Sequence, residues 1–420
     1  MREMKPSSME WIGDIPLSWK VMPNKYLMRK KKEICPVYSG EDILSLTMKG
    51  VIVRDLDAGG KMPASFDGYQ RLEPGNLLMC LFDIDVTPRC IGLIKQAGLS
   101  SPAYSQFVLS DGADAAYYCY YYTMLDNDKT LLHLAKNLRH SLTEDQLGAI
   151  PVIVPPTDEQ RRITDFLDTK CAEIDALTAD IQTQIDTLEQ YKRSVISETV
   201  TKGRNPDAEM KDSGIEWIGA IPTEWAIRKG KYMFTQRSLR GNSVELQLLS
   251  PTQKFGVIPQ TLYEELSGMT AVKLNEKADL NALKTIHKGD FCISLRSFQG
   301  GFEYCEYEGV VSPAYQVFYP TALIADGYYK YLFKESGFIE KMNSYTMTLR
   351  DGKNIAFSDF GNTYIPYPPV ETQSEIALYL DKKCSEINKV IMDKQAQLTT
   401  LDEYKKSLIF EYVTGKKEVV

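Results

Sequence analysis

The chain is written twice, and this constrains its fold more than any other feature. The stretch "EMKPSSMEWIGDIPLSW" from Glu3 returns as "EMKDSGIEWIGAIPTEW" from Glu209, 206 positions later, and all four tryptophans (Trp11, Trp19, Trp217, Trp225) fall inside the two copies. A second pair lies downstream. "PPTDEQRRITDFLDTKCAEID" from Pro155 matches "PPVETQSEIALYLDKKCSEIN" from Pro368, 213 positions later, and the match runs on through "LEQYKRSVISETVTKG" and "LDEYKKSLIFEYVTG". Between these segments only traces survive, such as "PGNLLMCLF" from Pro74 against "KGDFCISLR" from Lys288, and "SPAYSQF" from Ser101 against "SPAYQVF" from Ser312. The period is too long for a solenoid repeat, so each half is domain-sized. Like ends and unlike middles describe one task performed twice on different objects.

The downstream segments read as long helices. In the first, Leu167, Ile174, Ile181, Leu188 and Val195 stand seven apart, with Phe166, Leu177, Ile185 and Tyr191 filling the intermediate turns. In the second the stripe is Leu380, Ile387, Leu401 and Leu408, assisted by Ile376, Val390, Ile391, Leu398 and Tyr404, and broken by Lys394 at the place of Ile181. Thr157 with Gln160 fits a capping box, and Gly203 and Gly415 sit where a C-cap glycine belongs. About forty residues at ~1.5 Å each give a rod of about 60 Å, longer than a globular half needs. Such a rod buries its stripe best against its own duplicate, antiparallel, under a pseudo-two-fold axis. The alternative is that each helix packs only on its own domain.

The middles carry strand-like runs ("LEPGNLLMCLF", "IPVIVP", "YIPYPP") and turns at Gly59-Gly60, Asp67-Gly68, Gly300-Gly301 and Asp351-Gly352. The tyrosine-rich "AAYYCYYYTML" (115–125) and "DGYYKYLF" (326–333) are expected to be helices packed on a sheet rather than base-stacking platforms, because their aromatics are consecutive. The expected fold is therefore mixed α/β (α+β). Residues 1–154 form a first variable domain, 155–203 a helix, 204–367 a linker and second variable domain, and 368–420 a second helix.

Composition sets the class. A chain of 420 residues with 43% hydrophobic and 25% charged residues is ordinary for a globular protein of two or three domains. No run of eighteen apolar residues and no apolar N-terminal signal occurs, so no membrane association and a cytoplasmic location are expected. Eight scattered cysteines without a CxxC pair suit reduced, buried thiols, and three histidines without a ligand cluster argue against a metal site. The net charge of −7 opposes a protein coated in nucleic acid but leaves local basic patches open.

Catalytic signatures fail on inspection. "PDAEMK" (Pro206 to Lys211) imitates a metal-dependent nuclease motif, but Glu209 to Lys211 is simply the repeat unit "EMK" found again at Glu3 to Lys5. The Pro-Pro pairs follow Val154 and Tyr367, not the Asn or Asp that an adenine methyltransferase loop requires, and no GxGxxG or GxxxxGK[ST] stretch is present. No catalytic residue is assigned.

The paired "MEWIGDIPLSW" and "IEWIGAIPTEW", the two helix starts "PPTDEQRRITDFLD" and "PPVETQSEIALYLD", the "GVVSPAYQVF" stretch and the two long helices together resemble the specificity (S) subunit of type I restriction–modification systems. The resemblance covers essentially the whole chain. It implies two target-recognition domains, each reading one half of a split sequence in double-stranded DNA, and two antiparallel coiled-coil helices that fix the gap. It also implies that the helices dock two modification (methyltransferase) subunits, and that restriction subunits join to make the nuclease. The chain itself then needs no cofactor: S-adenosylmethionine, and ATP and Mg for restriction, belong to the partner subunits. The leading alternative is a non-enzymatic scaffold carrying two unlike protein-binding domains on coiled-coil arms.

Base reading calls for Arg, Lys, Asn and Gln in turns and strand ends of the variable domains. The candidates are Arg29, Lys30, Lys31, Lys32, Lys49, Arg54, Lys61 and Arg89 in the first domain, and Arg237, Arg240, Lys254, Arg296, Gln299, Arg350 and Lys353 in the second. Arg296 also has Glu303 within reach as an internal partner. The stripe residues named above, with Lys394 among them, are the candidates for helix packing and partner docking.

Overall fold

The computed structural model describes residues 2–58, 63–135, 140–241, 246–269, 280–294, 301–345 and 355–419. It divides into two compact units, Met1–Gln182 with Gln395–Val420, and Thr183–Lys394. Each unit holds a four-stranded antiparallel sheet of the same order. In the first the strands run Met28–Lys31, Ser105–Leu109, Leu77–Met79, Ile91–Leu93; in the second, Phe234–Gln236, Gln316–Pro320, Phe291–Ile293, Phe302–Tyr304. The variable middles thus share a frame although their residues differ.

The two long helices are Thr157–Lys202, 46 residues, and Val370–Val413, 44 residues. Both stop at the expected glycines, with φ of 78° at Gly203 and 72° at Gly415, the left-handed conformation that a side chain disfavours. Within the first unit the Phe166 and Tyr412 rings lie 4.3 Å apart and Lys405 bonds Asp175 at 2.6 Å; numbering rises on one helix as it falls on the other, so the pair is antiparallel there. Within the second unit Lys192 donates to Asn388 at 2.8 Å, and Lys394 to Gln184, in the same sense.

The seam between the helices follows the predicted stripe but differs at some of the intermediate positions. Leu167, Ile174, Ile181, Leu380, Ile387 and Leu408 are buried, and Leu188, Val195, Leu401 and Lys394 are half-buried. The residues three positions beyond the stripe face outward: Leu177 and Tyr191 are each 48% exposed, Val390 43% and Tyr404 54%. Those four positions beyond it are buried instead, namely Cys171, Ile185, Cys384 and Ile391. Ile185 and Ile391 thus fill the seam as the spacing predicts, and Cys171 and Cys384, small hydrophobes, take the places that Leu177, Tyr191, Val390 and Tyr404 do not.

The capping box also gives way to other bonds. Thr157 Oγ1 donates to the Gly112 carbonyl at 2.7 Å, and Gln160 donates to Pro155 O while accepting from Asp114 N, both at 2.8 Å. Gln373 repeats this with Pro368 O at 2.8 Å and Ala325 N at 2.9 Å. The glutamine therefore stitches each helix start to the loop that precedes the tyrosine helix.

Those tyrosine helices, Ala115–Asn127 and Asp326–Leu332, lie in the cores. Tyr117, Tyr118, Tyr121 and Tyr122 in the first, and Tyr328 and Tyr329 in the second, are fully buried, which excludes them as stacking platforms. All eight cysteines are free thiols and all but Cys119 are buried. No helix among the described residues is long and apolar enough to cross a membrane.

One buried charge gives the second unit a pH dependence. Glu303 accepts from Lys334 at 2.7 Å, yet burial outweighs that pairing and pushes its carboxyl up to about 7. The folded state then holds a proton that the unfolded chain, with an ordinary carboxylate, gives up between about pH 4.5 and 7, so stability falls as pH rises through that window. Glu303→Gln is expected to flatten this slope in urea unfolding at pH 5 and pH 7.5. An unchanged slope would place the titrating group elsewhere.

Candidate nucleic-acid interface

The duplicated opening phrase builds a socket for a helix end. Met4–Pro6 pairs with Asp14–Pro16, and Met210–Asp212 with Ala220–Pro222, as two small hairpins with equal registers. Their turns close identically: Gly13 N donates to Met9 O at 2.8 Å and Gly219 N to Ile215 O at 2.9 Å. Ile12, Ile15 and Trp19, and likewise Ile218, Ile221 and Trp225, point inward and are buried. A Cβ on Gly415 would stand 2.9 Å from the Trp19 ring, and one on Gly203 3.2 Å from the Trp225 ring, so each tryptophan covers the C-terminus of a long helix. Trp19 is further held by Glu159, which accepts from its Nε1 at 2.9 Å. The "PDAEMK" residues belong to this socket: Lys211 donates to the Thr223 carbonyl at 2.7 Å.

Tyrosine hydroxyls fasten each unit to both helices. Tyr117 donates to the Val413 carbonyl at 2.7 Å and Tyr328 to the Val200 carbonyl at 2.6 Å, satisfying carbonyls that a helix end leaves without partners. Tyr120 donates to Asp168 at 2.7 Å and Tyr331 to Asp381 at 2.6 Å, on the other helix in each case. Burial, seconded by these carboxylates, pushes both phenols well above the ordinary tyrosine range, so they stay protonated donors.

A further hairpin is duplicated, and sequence comparison of the middles had not singled it out. Leu44–Thr47 pairs with Gly50–Val53 in the first unit, and Leu249–Thr252 with Gly256–Pro259 in the second. Their sequences, "ILSLTMKGVIV" from Ile43 and "LLSPTQKFGVIP" from Leu248, align once the extra Phe255 is allowed. Both mounts depend on a glycine. A Cβ on Gly98 would stand 2.7 Å from the Asp42 carbonyl, and one on Gly309 2.4 Å from that of Gln247, so only glycine lets the hairpin lie this close. Leu99 N then donates to Asp42 O at 2.8 Å, and Val310 N to Gln247 O at 2.9 Å. A small apolar cluster secures each hairpin, with Leu44, Leu46, Val51 and Tyr104 in one unit and Leu249, Val257 and Tyr315 in the other.

The basic candidates sort by what they already touch. Lys30 bonds Glu144 and Lys31 bonds Glu73. Arg89 donates to Asp126 at 3.3 Å and Asn127 at 2.9 Å, the carboxylate being buried. Arg237 makes a bidentate pair with buried Asp290 at 2.7 and 2.9 Å and covers the Tyr319 ring at 4.4 Å. Asp290 raises the Arg237 guanidinium pKa, mainly through this hydrogen bonding. Arg54 is half-buried, while Arg29, Lys32, Lys49, Arg240 and Lys254 are exposed. Lys61, Arg296, Gln299, Arg350 and Lys353 lie outside the described residues, as do Gly59-Gly60, Gly300 and Asp351-Gly352 and, with Arg296, its expected pairing to Glu303.

In the first unit Lys49 and Arg89 come together on one groove of about 800 Å³, with Lys95, Lys129, Lys405 and Lys406 along the same walls. Asp126, Asp168, Asp175 and Asp402 interleave with these cations. The groove is mixed in charge and lies between the sheet, the tyrosine helix and the paired long helices of that unit.

Residues 228–400 match a family model described as the type I restriction modification DNA specificity domain. No curated protein matches the sequence. A solved chain from work on complex assembly and conformational transition of the type I R-M system superposes with a TM-score of 0.68 at 14% identity, covering 96% of this chain and 99% of that one. The HsdS subunit from Thermoanaerobacter tengcongensis superposes with a TM-score of 0.50, also at 14% identity, over 98% of this chain and 100% of that one. At such identities the likeness is one of fold.

Proposed function

We infer that this chain is a specificity subunit of the type I restriction–modification kind and selects the DNA sequence on which a larger complex acts. Each variable domain reads one half of a split target. The observation that carries this reading is a shared frame with unlike decoration: the same socket, tyrosine anchors and lysine-tipped hairpin recur in both units, while the residues around them diverge. A duplicated reader of this kind addresses two different short sequences on one duplex.

The long helices serve as the ruler. Each is continuous and, at ~1.5 Å per residue, about 65 to 70 Å long. Half-site spacing on DNA is a geometric property of the protein that holds the readers. Inserting one heptad into both helices lengthens them by about 10 Å, near three base pairs. The assembled complex is expected to bind its native target at least about tenfold more weakly and to prefer a wider gap. Unaltered affinity and gap would overturn the ruler.

The same helices offer two equivalent docking strips. Leu177 and Tyr404 in the first unit, and Tyr191 and Val390 in the second, are exposed at matching positions of the repeat, which suits two copies of one partner. We assign these strips to two modification subunits. On this reading the chain is non-catalytic and takes no cofactor itself, the methyl donor S-adenosylmethionine, ATP and Mg being held by partner subunits. We assign it to the cytoplasm, a reading that its eight free thiols and the proposed role on intracellular DNA support.

A further inference from the structure

The two lysine-tipped hairpins bear on how any DNA is held, whatever its sequence. Lys49 stands at the tip between Thr47 and Gly50, and Lys254 at the tip between Thr252 and Gly256. Both tips are tied by the same side chain: Thr47 Oγ1 donates to Gly50 O and Thr252 Oγ1 to Gly256 O, each at 3.0 Å. The same hydroxyls accept from Lys49 N at 3.1 Å and from Phe255 N at 3.0 Å. Gly50 at φ 90° and Gly256 at φ 72° complete turns that other residues disfavour. With the glycine mounts beneath them, these are rigid prongs on a packed base.

Both lysines are exposed, and neither forms an ion pair among the described residues. That separates them from Lys30, Lys31, Arg89 and Arg237, whose charges are already answered by carboxylates. Exposed ammonium groups on preorganised turns are suited to a point negative charge.

Their duplication supplies the rest of the argument. A residue that tells the two half-sites apart differs between the domains that read them. One that recurs at the same place on the same mount meets something both half-sites share, and every stretch of duplex shares its phosphates. We propose that Lys49 and Lys254 are a matched pair of backbone-phosphate contacts, one per half-site, that set each reader's register on the duplex without contributing to base choice. This rests on the DNA-recognition role proposed above.

The test measures DNA binding by the complex of the full chain with its modification subunits, across a salt series, on the native target and on single-base variants of it. Neutralising a phosphate contact lowers the slope of log affinity against log salt by about 0.9. Lys49→Ala and Lys254→Ala are each expected to show that drop, the double variant about twice as much, with equal fractional loss on every sequence and an unchanged preferred target. Lys49→Arg should restore the slope, and unfolding curves should match the parent because the tips are exposed. A loss confined to one base position would make the residue a base reader and overturn the proposal, as would an unchanged slope. If the unmutated complex shows no sequence preference, the DNA-recognition reading itself has failed. If it discriminates normally while the lysine variants bind like the parent, only the phosphate assignment falls.

Discussion

Trp225→Ala is expected to cost the second unit about 3–5 kcal/mol, the range for deleting a fully buried aromatic. The ring is almost wholly buried and meets Tyr328 edge-on at 6.4 Å, and its six-membered face covers Gly203, where the first long helix ends. Removing it opens a cavity between the socket hairpin and that helix end. Tyr328 loses a neighbour while it holds the Val200 carbonyl at 2.6 Å, so part of that bond is expected to go as well. Urea unfolding followed by circular dichroism measures the loss, and a change below about 1 kcal/mol would show that the socket is not what fixes the helix end. Trp19→Ala should behave alike in the first unit, with the Glu159 carboxylate left short of a donor.

Arg237→Ala is expected to destabilise the same unit by about 3–5 kcal/mol, because it strands a buried carboxylate. Asp290 is nearly inaccessible, and Arg237 supplies two of its bonds at 2.7 and 2.9 Å while the His287 backbone N–H supplies another at 2.9 Å. The double variant Arg237→Ala/Asp290→Ala should recover much of the loss, since no unpaired charge then remains. A stable Arg237→Ala protein that had lost discrimination at one base would instead make this guanidinium a reader. The same reasoning extends to Arg89, whose partner Asp126 also accepts from Lys129 at 3.0 Å.

Much of this architecture was legible in the residues. Duplication announced two equivalent units, heptad spacing announced the rods, and Gly203 and Gly415 marked their ends, because each signal is local and follows from chain geometry. Consecutive tyrosines were legible as core because no single helix face can present them all to a ligand. What escaped depends on contacts distant in sequence. Gly98 and Gly309 look like ordinary turn glycines until a carbonyl from the chain leading into a hairpin, Asp42 or Gln247, is found against them. The hairpins hid behind one inserted residue, Phe255, in middles otherwise too divergent to align by eye. The filling of the helix seam was legible only in part, because Cys171 and Cys384 were not counted in it, while Leu177 and Tyr404 were. Among the basic candidates, composition cannot tell an arginine bonded to a buried carboxylate from a lysine left in solvent; Arg237 and Lys254 differ only in the fold.

The two tryptophan sockets are alike in space but not in the order in which they can form. Trp225 meets Gly203 across a short stretch of chain, whereas Trp19 must wait for Gly415, far along the sequence in the second helix's end. The larger loop raises the entropic cost of closure by about 2.5 kcal/mol for an unstructured chain. On a ribosome the second socket can set while the first still lacks its counterpart, so the Met4–Pro16 hairpin stays unsatisfied until Gly415 has emerged. Contacts of such high separation are slow to form, and the step that completes the first unit, rather than the second, should limit how fast the whole molecule matures.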